Sequence, residues 1–467
     1  MKPKNLINLR IPTGEPLREA IISLRAASRD LNRKDIPYII RAVIDDPDKY
    51  KNDKYFGNLA LSIIEYHKND EVYTEREVPA KYAVFGKEYI DSTSIEQMER
   101  ACRLPITIRG ALMPDAHSGY GLPIGGVLAT KGAVIPYAVG LDIACRMKIS
   151  ILNLPVSYIT ENVGFLSTVL NEETCFGIGR TFKSLKYHRV LDKEDWSITC
   201  GIDGKASLKD LAHQQLGTSG SGNHFVEFGI FTLKNKDGGT CEWLQGSQQY
   251  VALLSHSGSR GVGAKIARYY SKLARGKRNG LPRELQELSW LYTDEEDGIK
   301  YWQCMELMGE FAAANHEIIH RSIINRLKVE QMFTIENHHN FAWREFHDNE
   351  YVVVHRKGAT PAYKHTFGII PGSMATPAYI VSGNGNEASL QSASHGAGRT
   401  MSRKQAKETI SSSDTRKLLK DKGVVLLSGG IDESPAAYKD IDTVMAAQRD
   451  LVDVIGQFDP KIVKMDG

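Results

Sequence analysis

Two hydrophobic textures divide the chain. Up to about residue 85, apolar positions recur at helical spacing with charges between them, as in PLREAIISLRAASRDLNR and NLALSIIEYHK, and the polar, turn-rich stretch DDPDKYKNDKY separates the two. Apolar residues at i, i+3 and i+4 make one stripe of a helix, so residues 1–85 are expected to form a small helical appendage. From about Val84 onward, short apolar runs broken by glycine take over: IGGVLAT, AVIPYAVGLDI, YVALLSHSGSRG and YVVVHRKGA. Such runs predict strands that lead into loops. Helical spacing returns over Lys265–Leu273, Glu310–Lys328 and Asp442–Gln457. Strands and helices alternate without a regular βαβ rhythm, which predicts a mixed α+β fold rather than a doubly wound sheet. Residues 86–467 contain nothing that reads as a linker and are expected to form one domain.

Composition changes this picture little. At 467 residues the chain exceeds one typical core, in keeping with a large domain plus an appendage. No apolar run approaches the roughly 20 residues needed to span a bilayer. The start MKPKNLINLR lacks a signal-peptide core, so a cytoplasmic protein with no membrane contact is expected. Six scattered cysteines (Cys102, Cys145, Cys175, Cys200, Cys241 and Cys304) form no CxxC pair, which fits reduced thiols better than a disulfide framework. A net charge of +3 is too small to imply nucleic acid by itself.

The chemistry gathers in glycine-flanked histidines: GSGNHF around His224, SHSGSRG around His256 and SASHGAGR around His395. Glycine admits close backbone approach at an entropic cost that a plain loop has no reason to carry. In GLDIACRM, Asp142 and Cys145 lie three apart after an apolar run. A carboxylate and a thiolate offered together suit manganese, zinc, iron or cobalt rather than calcium or magnesium; the plainer alternative is a buried cysteine beside a turn-capping aspartate. The Gly217–Gly222 loop can form an anion-binding nest ahead of Asn223, His224 and Glu227. His256 and Arg260 bring an imidazole and a guanidinium to another Gly/Ser loop, and of the adjacent His338 and His339 at most one is expected to face a site. His395 precedes a Gly-Ala-Gly turn and Arg399. An imidazole in that setting is a usable nucleophile toward phosphorus; otherwise it is a loop histidine bonded to main chain. His316-Glu317-Ile318-Ile319-His320 spells HExxH, the helix-borne zinc-hydrolase pattern, but no third-ligand pattern follows, and a packed or solvated helix face explains it as well.

Taken in order, MPDAHSGYGLPIGGV (Met113–Val127), GLDIACRM, GTSGSGNHFVE, HSGSRG, HHN, HRKGA (His355–Ala359), PGSM (Pro371–Met374), SHGAGR and ESPAAYKDID (Glu433–Asp442) resemble the RtcB family of RNA-splicing ligases. The likeness runs from roughly Tyr89 to the C-terminus. It implies a strand-rich RtcB-type core and a GTP- and manganese-dependent ligase. Such an enzyme joins RNA 3′-phosphate or 2′,3′-cyclic phosphate ends to 5′-hydroxyl ends through a histidine–GMP intermediate, in RNA repair or tRNA splicing. By the same resemblance His395 is the nucleophile and Cys145 bridges two Mn2+ ions. Asp142 and His224 complete one shell, and His256 and His339 the other. GTP contacts fall on Asn223, His224, Phe225, Val226, Glu227, His339, Asn340, Pro371, Gly372, Ser373, Met374, Ala378, His395, Gly396, Ala397, Gly398, Tyr438 and Lys464. A monomer is expected, with an archease-type activator as a candidate partner.

The chain departs from the family pattern at Tyr137-Ala138, at Arg146 (usually glycine) and at Ala378 (usually serine), and two residues more than usual follow Lys464. An end-capping paralogue that activates RNA ends without sealing them is the competing expectation.

Overall fold

In the strand Gln249–Ser257, Val251 and Leu253 pack into one buried cluster with Ile319 and Ile323. Their neighbours Tyr250, Ala252 and Leu254 pack into another with Met147, Ile149 and Ile151. Successive side chains of a strand point to opposite faces, so a run apolar at every position belongs to a sheet covered on both sides. Burying each such aliphatic side chain contributes roughly 1.5–3 kcal/mol. The same alternation carries onward: Ser255 and Ser257 fall on the helix-covered face, and His256 on the other.

A computed structural model describes the chain except residues 1–2, 13–14, 33, 69–73, 235–248 and 279; Cys241 lies outside the described residues. The chain divides into two units, Met1–Thr74 with Lys272–Ser289, and Glu75–Ser271 with Trp290–Gly467. The smaller unit contains the helices Pro3–Asn8, Glu15–Ala26, Ile36–Asp45 and Gly57–Lys68 around a core that includes Leu6, Leu24, Ile40, Leu59 and Ile63.

The larger unit is α+β, as expected. Its main sheet has eight strands. Seven follow the order Phe367–Ile370, Ala378–Gly383, Val452–Met465, Phe225–Leu233, Gln249–Ser257, Arg146–Leu152 and Gln331–His338. The eighth, Val425–Ser428, runs parallel to Val452–Met465. A second sheet of five strands runs Tyr82–Val84, Thr107–His117, Ile124–Thr130, Glu350–Lys357 and Asn340–His347. The long helix Glu296–Leu327 covers one face of the main sheet. Among the described residues no helix is long and apolar enough to cross a membrane.

Two local expectations are corrected. AVIPYAVGLDI is not a strand beyond Ala133–Val134, because Pro136 starts the short helix Pro136–Val139 and Gly140 ends it at φ 99°. The helix expected over Asp442–Gln457 stops at Ala446, and Val452–Met465 is a strand. That strand pairs on both sides, with Ala378–Gly383 and Phe225–Leu233. Tertiary pairing of this kind overrides local periodicity.

Candidate active site

Register places the candidate ligands at one end of four neighbouring strands. Phe225 and Met147 both pair with His256, and Arg146 pairs with both Ser257 and His338. His224 therefore stands just before the first strand, His256 near the end of the second, Cys145 just before the third and His339 just after the fourth. Four donors from four segments meet at one point because the sheet aligns its strand ends.

The Asp142–Cys145 turn is clamped from both sides. The Cys145 amide donates to the Asp142 carbonyl at 3.1 Å, and the Ala144 amide, at a φ of 58°, donates to Asn340 O at 2.7 Å. The His339 amide donates to Cys145 O at 3.0 Å, and the Ser259 amide to Asp142 Oδ1 at 3.0 Å. Both side chains thus project from one turn.

Among the described residues two donor groups gather within 4.8 Å: Asp142, Cys145 and His224, and Cys145, His256 and His339. Cys145 Sγ lies 3.3 Å from His224 Nε2 and 3.1 Å from His256 Nε2. His256 Nε2 is 3.3 Å from His339 Nε2, and Asp142 Oδ2 is 3.0 Å from His224 Nε2. His256 Nδ1 donates to Asn223 O at 3.0 Å, which turns the lone pair of Nε2 inward. The donor chemistry (one thiolate common to both groups, one carboxylate, three imidazoles) fits borderline divalent ions.

Electrostatics agree. Burial holds His256 and His339 well below the usual histidine range, so both are neutral with lone pairs available. Burial raises the Asp142 carboxyl, but the hydrogen bond and charge of His224 and the charge of Arg260 outweigh it and keep Asp142 ionised. Burial and Asp142 push the Cys145 thiol well up, so a metal entering here displaces its proton. His224 Nδ1 faces Arg260 at 3.1 Å. A guanidinium only donates, so in this arrangement the ring proton sits on Nε2 and faces Asp142 Oδ2 at 3.0 Å. Gly220, at φ 97°, makes room for this pair: a Cβ there would lie 2.6 Å from His224 Nδ1 and overlap the guanidinium.

His395 sits beside the second donor group, its ring centre 5.1 Å from that of His339. Its Nδ1 donates to Asp115 Oδ2 at 2.6 Å, and the amides of His395 and Gly396 reach the same oxygen at 3.1 and 3.3 Å. Asp115 is fully buried. Burial raises its carboxyl, but the charge and hydrogen bond of His395 reverse that and hold it below the usual range. With the proton fixed on Nδ1, the Nε2 lone pair is left free.

A cavity of about 310 Å3 opens next to His395. Of the expected nucleotide contacts, Asn223, Phe225, Glu227, Pro371, Gly372, Ser373, Met374, Ala378, His395, Gly396, Ala397, Gly398 and Tyr438 line it. Glu227 is buried, and desolvation raises its carboxyl well above the usual range, which favours the neutral acid.

The other expected contacts stand elsewhere. Val226 is in the sheet core, His224 and His339 belong to the donor groups, and Asn340 braces the turn by accepting from the Ala144 amide at 2.7 Å and donating Nδ2 to Asp142 O at 3.4 Å. Lys464 is turned away, its Nζ 3.3 Å from Leu170 O. Its neighbours Val463 and Met465 line the cavity, and strand alternation sends the residue between them to the other face.

Residue reading alone missed Asp115, His117, Arg403 and Glu433. The last two line the cavity with Arg399 and Tyr438 and bond to one another. Asp115 lies inside a quoted motif, but nothing local announces a partner 280 positions away.

The HExxH helix carries no third donor among the described residues. Ser255 Oγ lies 2.7 Å from His316 Nδ1 and 2.8 Å from His320 Nε2, and His320 Nδ1 meets Ser150 at 2.8 Å. Both imidazoles are buried pins between helix and sheet, while Glu317 points out to His188. Arg146 likewise bonds behind the turn, to Glu336 at 3.2 Å and His338 at 3.1 Å.

A family model described as tRNA-splicing ligase RtcB matches residues 97–466. The chain belongs to the RtcB family. RNA-splicing ligase RtcB of Escherichia coli (strain K12) is 34% identical over 418 residues, covering 83% of this chain and 97% of the relative. tRNA-splicing ligase RtcB of Nanoarchaeum equitans is 30% identical over 440 residues, covering 80% and 91%.

Proposed function

We propose that this RtcB-family protein is an RNA ligase, dependent on GTP and manganese, that joins 3′-phosphate or 2′,3′-cyclic phosphate ends to 5′-hydroxyl ends. The observation that carries this is the pairing of His395 with buried Asp115 beside two donor groups that share Cys145. Two ions held by Asp142, Cys145, His224, His256 and His339 would supply charge neutralisation for the phosphates.

The chain's own residues do the rest. Asp115 keeps the His395 proton on Nδ1, so Nε2 attacks the α-phosphorus of GTP. A P–N bond forms and pyrophosphate leaves with the electron pair of the broken P–O bond. Asp115 offsets the positive charge that the substituted ring then carries. At a cyclic end, water first adds to the RNA phosphorus and breaks the P–O2′ bond, the 2′-oxygen taking a proton. An oxygen of the RNA 3′-phosphate then attacks the phosphorus bound to His395 and returns the P–N pair to Nε2. Finally the 5′-hydroxyl attacks the 3′-phosphate, GMP leaves, and the hydroxyl proton passes to water. Asn223, Phe225, Glu227, Ser373 and Tyr438 would surround the nucleotide, and Ala378 offers the base no hydroxyl.

The test is incubation of the pure protein with α-labelled GTP and manganese. An acid-labile, base-stable GMP adduct is expected in the wild type and absent in His395→Ala; no adduct, or one that survives in His395→Ala, sinks the assignment. Sealing of a nicked stem-loop then separates a ligase from an end-activating relative, which would accumulate the activated end.

A further inference from the structure

After the helix Val163–Glu173 the chain runs as an irregular loop up to the short turn Arg189–Asp192. Residues 176–193, FGIGRTFKSLKYHRVLDK, carry five cations (Arg180, Lys183, Lys186, Arg189, Lys193) against the single acid Asp192. Apolar and aromatic groups stand between these charges and are held out of the core: Ile178 is 92% exposed, Tyr187 62% and Leu185 45%. Lys186 lies over the Phe182 ring at 4.9 Å. Among the described residues Arg180 and Lys183 have no carboxylate within ion-pair distance. Lys186 pairs with Glu173 at 3.8 Å and Lys193 with Glu310 at 2.5 Å. Among the described residues, the charge that folding leaves uncompensated is that of Arg180, Lys183 and Arg189, interleaved with exposed Ile178, Leu185 and the Tyr187 ring.

The root of this loop is tied to the candidate site. The Gly177 amide donates to Gly220 O and the Ser219 amide to Cys175 O, each at 2.8 Å. Gly220 is the residue packed against His224 and Arg260. The Lys464 amine, turned away from the nucleotide cavity, lies 5.8 Å from the Phe176 ring centre at the same root. The strip thus begins one residue layer from a metal-donor group and runs out into solvent.

We propose that residues 176–193 are the docking platform for the single-stranded RNA leading to the reacting end, an assignment that rests on the ligase function above. Arg180, Lys183 and Arg189 neutralise backbone phosphates, and the exposed Tyr187 ring offers a face to unpaired bases. A polyanion with exposed bases matches both features, whereas a duplex hides its base faces.

The experiment is equilibrium binding of a fluorescein-labelled single-stranded RNA with a 3′-phosphate across a salt series, with GMP-adduct yield measured on the same preparations. For Arg180→Ala/Lys183→Ala the slope of log affinity against log salt should fall by about 1.4, since each single-strand phosphate contact contributes about 0.7. Tyr187→Ala should weaken single-strand binding roughly 5- to 150-fold, Tyr187→Phe should restore it, and a blunt RNA duplex should not respond to either. Unchanged affinity and slope in both variants overturn the proposal and leave the strip to a protein partner. Equal effects of Tyr187→Ala on duplex and single strand overturn it as well. If the wild type forms no adduct yet the variants lose RNA binding, the platform stands and the ligase assignment falls.

Discussion

Replacing Asp115 with asparagine tests the core of the mechanism. One carboxylate oxygen accepts from His395 Nδ1 and from the amides of His395 and Gly396. The other oxygen is buried with no partner. Asparagine keeps an acceptor for the three donors only by turning its NH2 toward that partnerless position. Asn therefore preserves shape and a neutral acceptor while removing the charge that faces the ring when Nε2 becomes bonded to phosphorus. A hydrogen bond to a charged group contributes about 1.5–3 kcal/mol. A loss of about 2–3 kcal/mol from the transition state corresponds to roughly 30- to 150-fold slower adduct formation. The assay is single-turnover incorporation of labelled GMP at saturating GTP and manganese, with GTP affinity and thermal stability measured in parallel. A rate within about threefold of wild type, in a folded protein that binds GTP normally, would refute the role given to Asp115.

Three further outcomes follow from the same geometry. Cys145→Ala removes the donor shared by both groups, so bound manganese per chain, measured by elemental analysis, should drop in both sites together. In the wild type, metal affinity should strengthen as pH rises toward the raised thiol pKa, by about tenfold per pH unit for each displaced proton; a flat profile would show a thiolate already formed. Burial raises the Glu227 carboxyl, and the side chain lines the cavity proposed for GTP, so Glu227→Gln should keep GTP affinity within about threefold while Glu227→Ala weakens it about tenfold or more, by calorimetry.

The last concerns His347, buried between Glu345 at 2.8 Å and Glu387 at 3.2 Å; the hydrogen bond to Glu345 raises its pKa against the opposing effect of burial. A raised histidine pKa stabilises the fold below the unfolded value and loses that contribution as pH climbs through the folded one. The stability advantage of wild type over His347→Gln should therefore be on the order of 1 kcal/mol in mildly acidic buffer and shrink toward alkaline pH, by urea unfolding. An advantage that grows with pH would contradict the ion pair.

Much of this protein was legible as a string. A thiolate, a carboxylate and glycine-flanked histidines are residue types suited to the proposed metal and phosphorus chemistry, and Asp142, Cys145, His224, His256 and His395 stand out wherever they fall. The apolar strand YVALLSHS was equally plain, because period-2 burial on both faces leaves only apolar positions. The reach of the helix after Asp442 was not legible, since LVDVIGQF becomes a strand only through partners contributed by residues 225–233 and 378–383.

Three further choices were made in space alone. His316 and His320 match a metal signature yet serve as pins, because Ser255 and Ser150 take their nitrogens. Lys464 faces away from the cavity beside His395, because alternation gives that side to Val463 and Met465. Asp115 meets His395 across 280 positions. The chain by itself determined which chemical groups were available; the tertiary structure decided which of them met. Donor chemistry is a property of the residue, whereas hydrogen-bond partnership and strand facing are properties of neighbours brought together by folding.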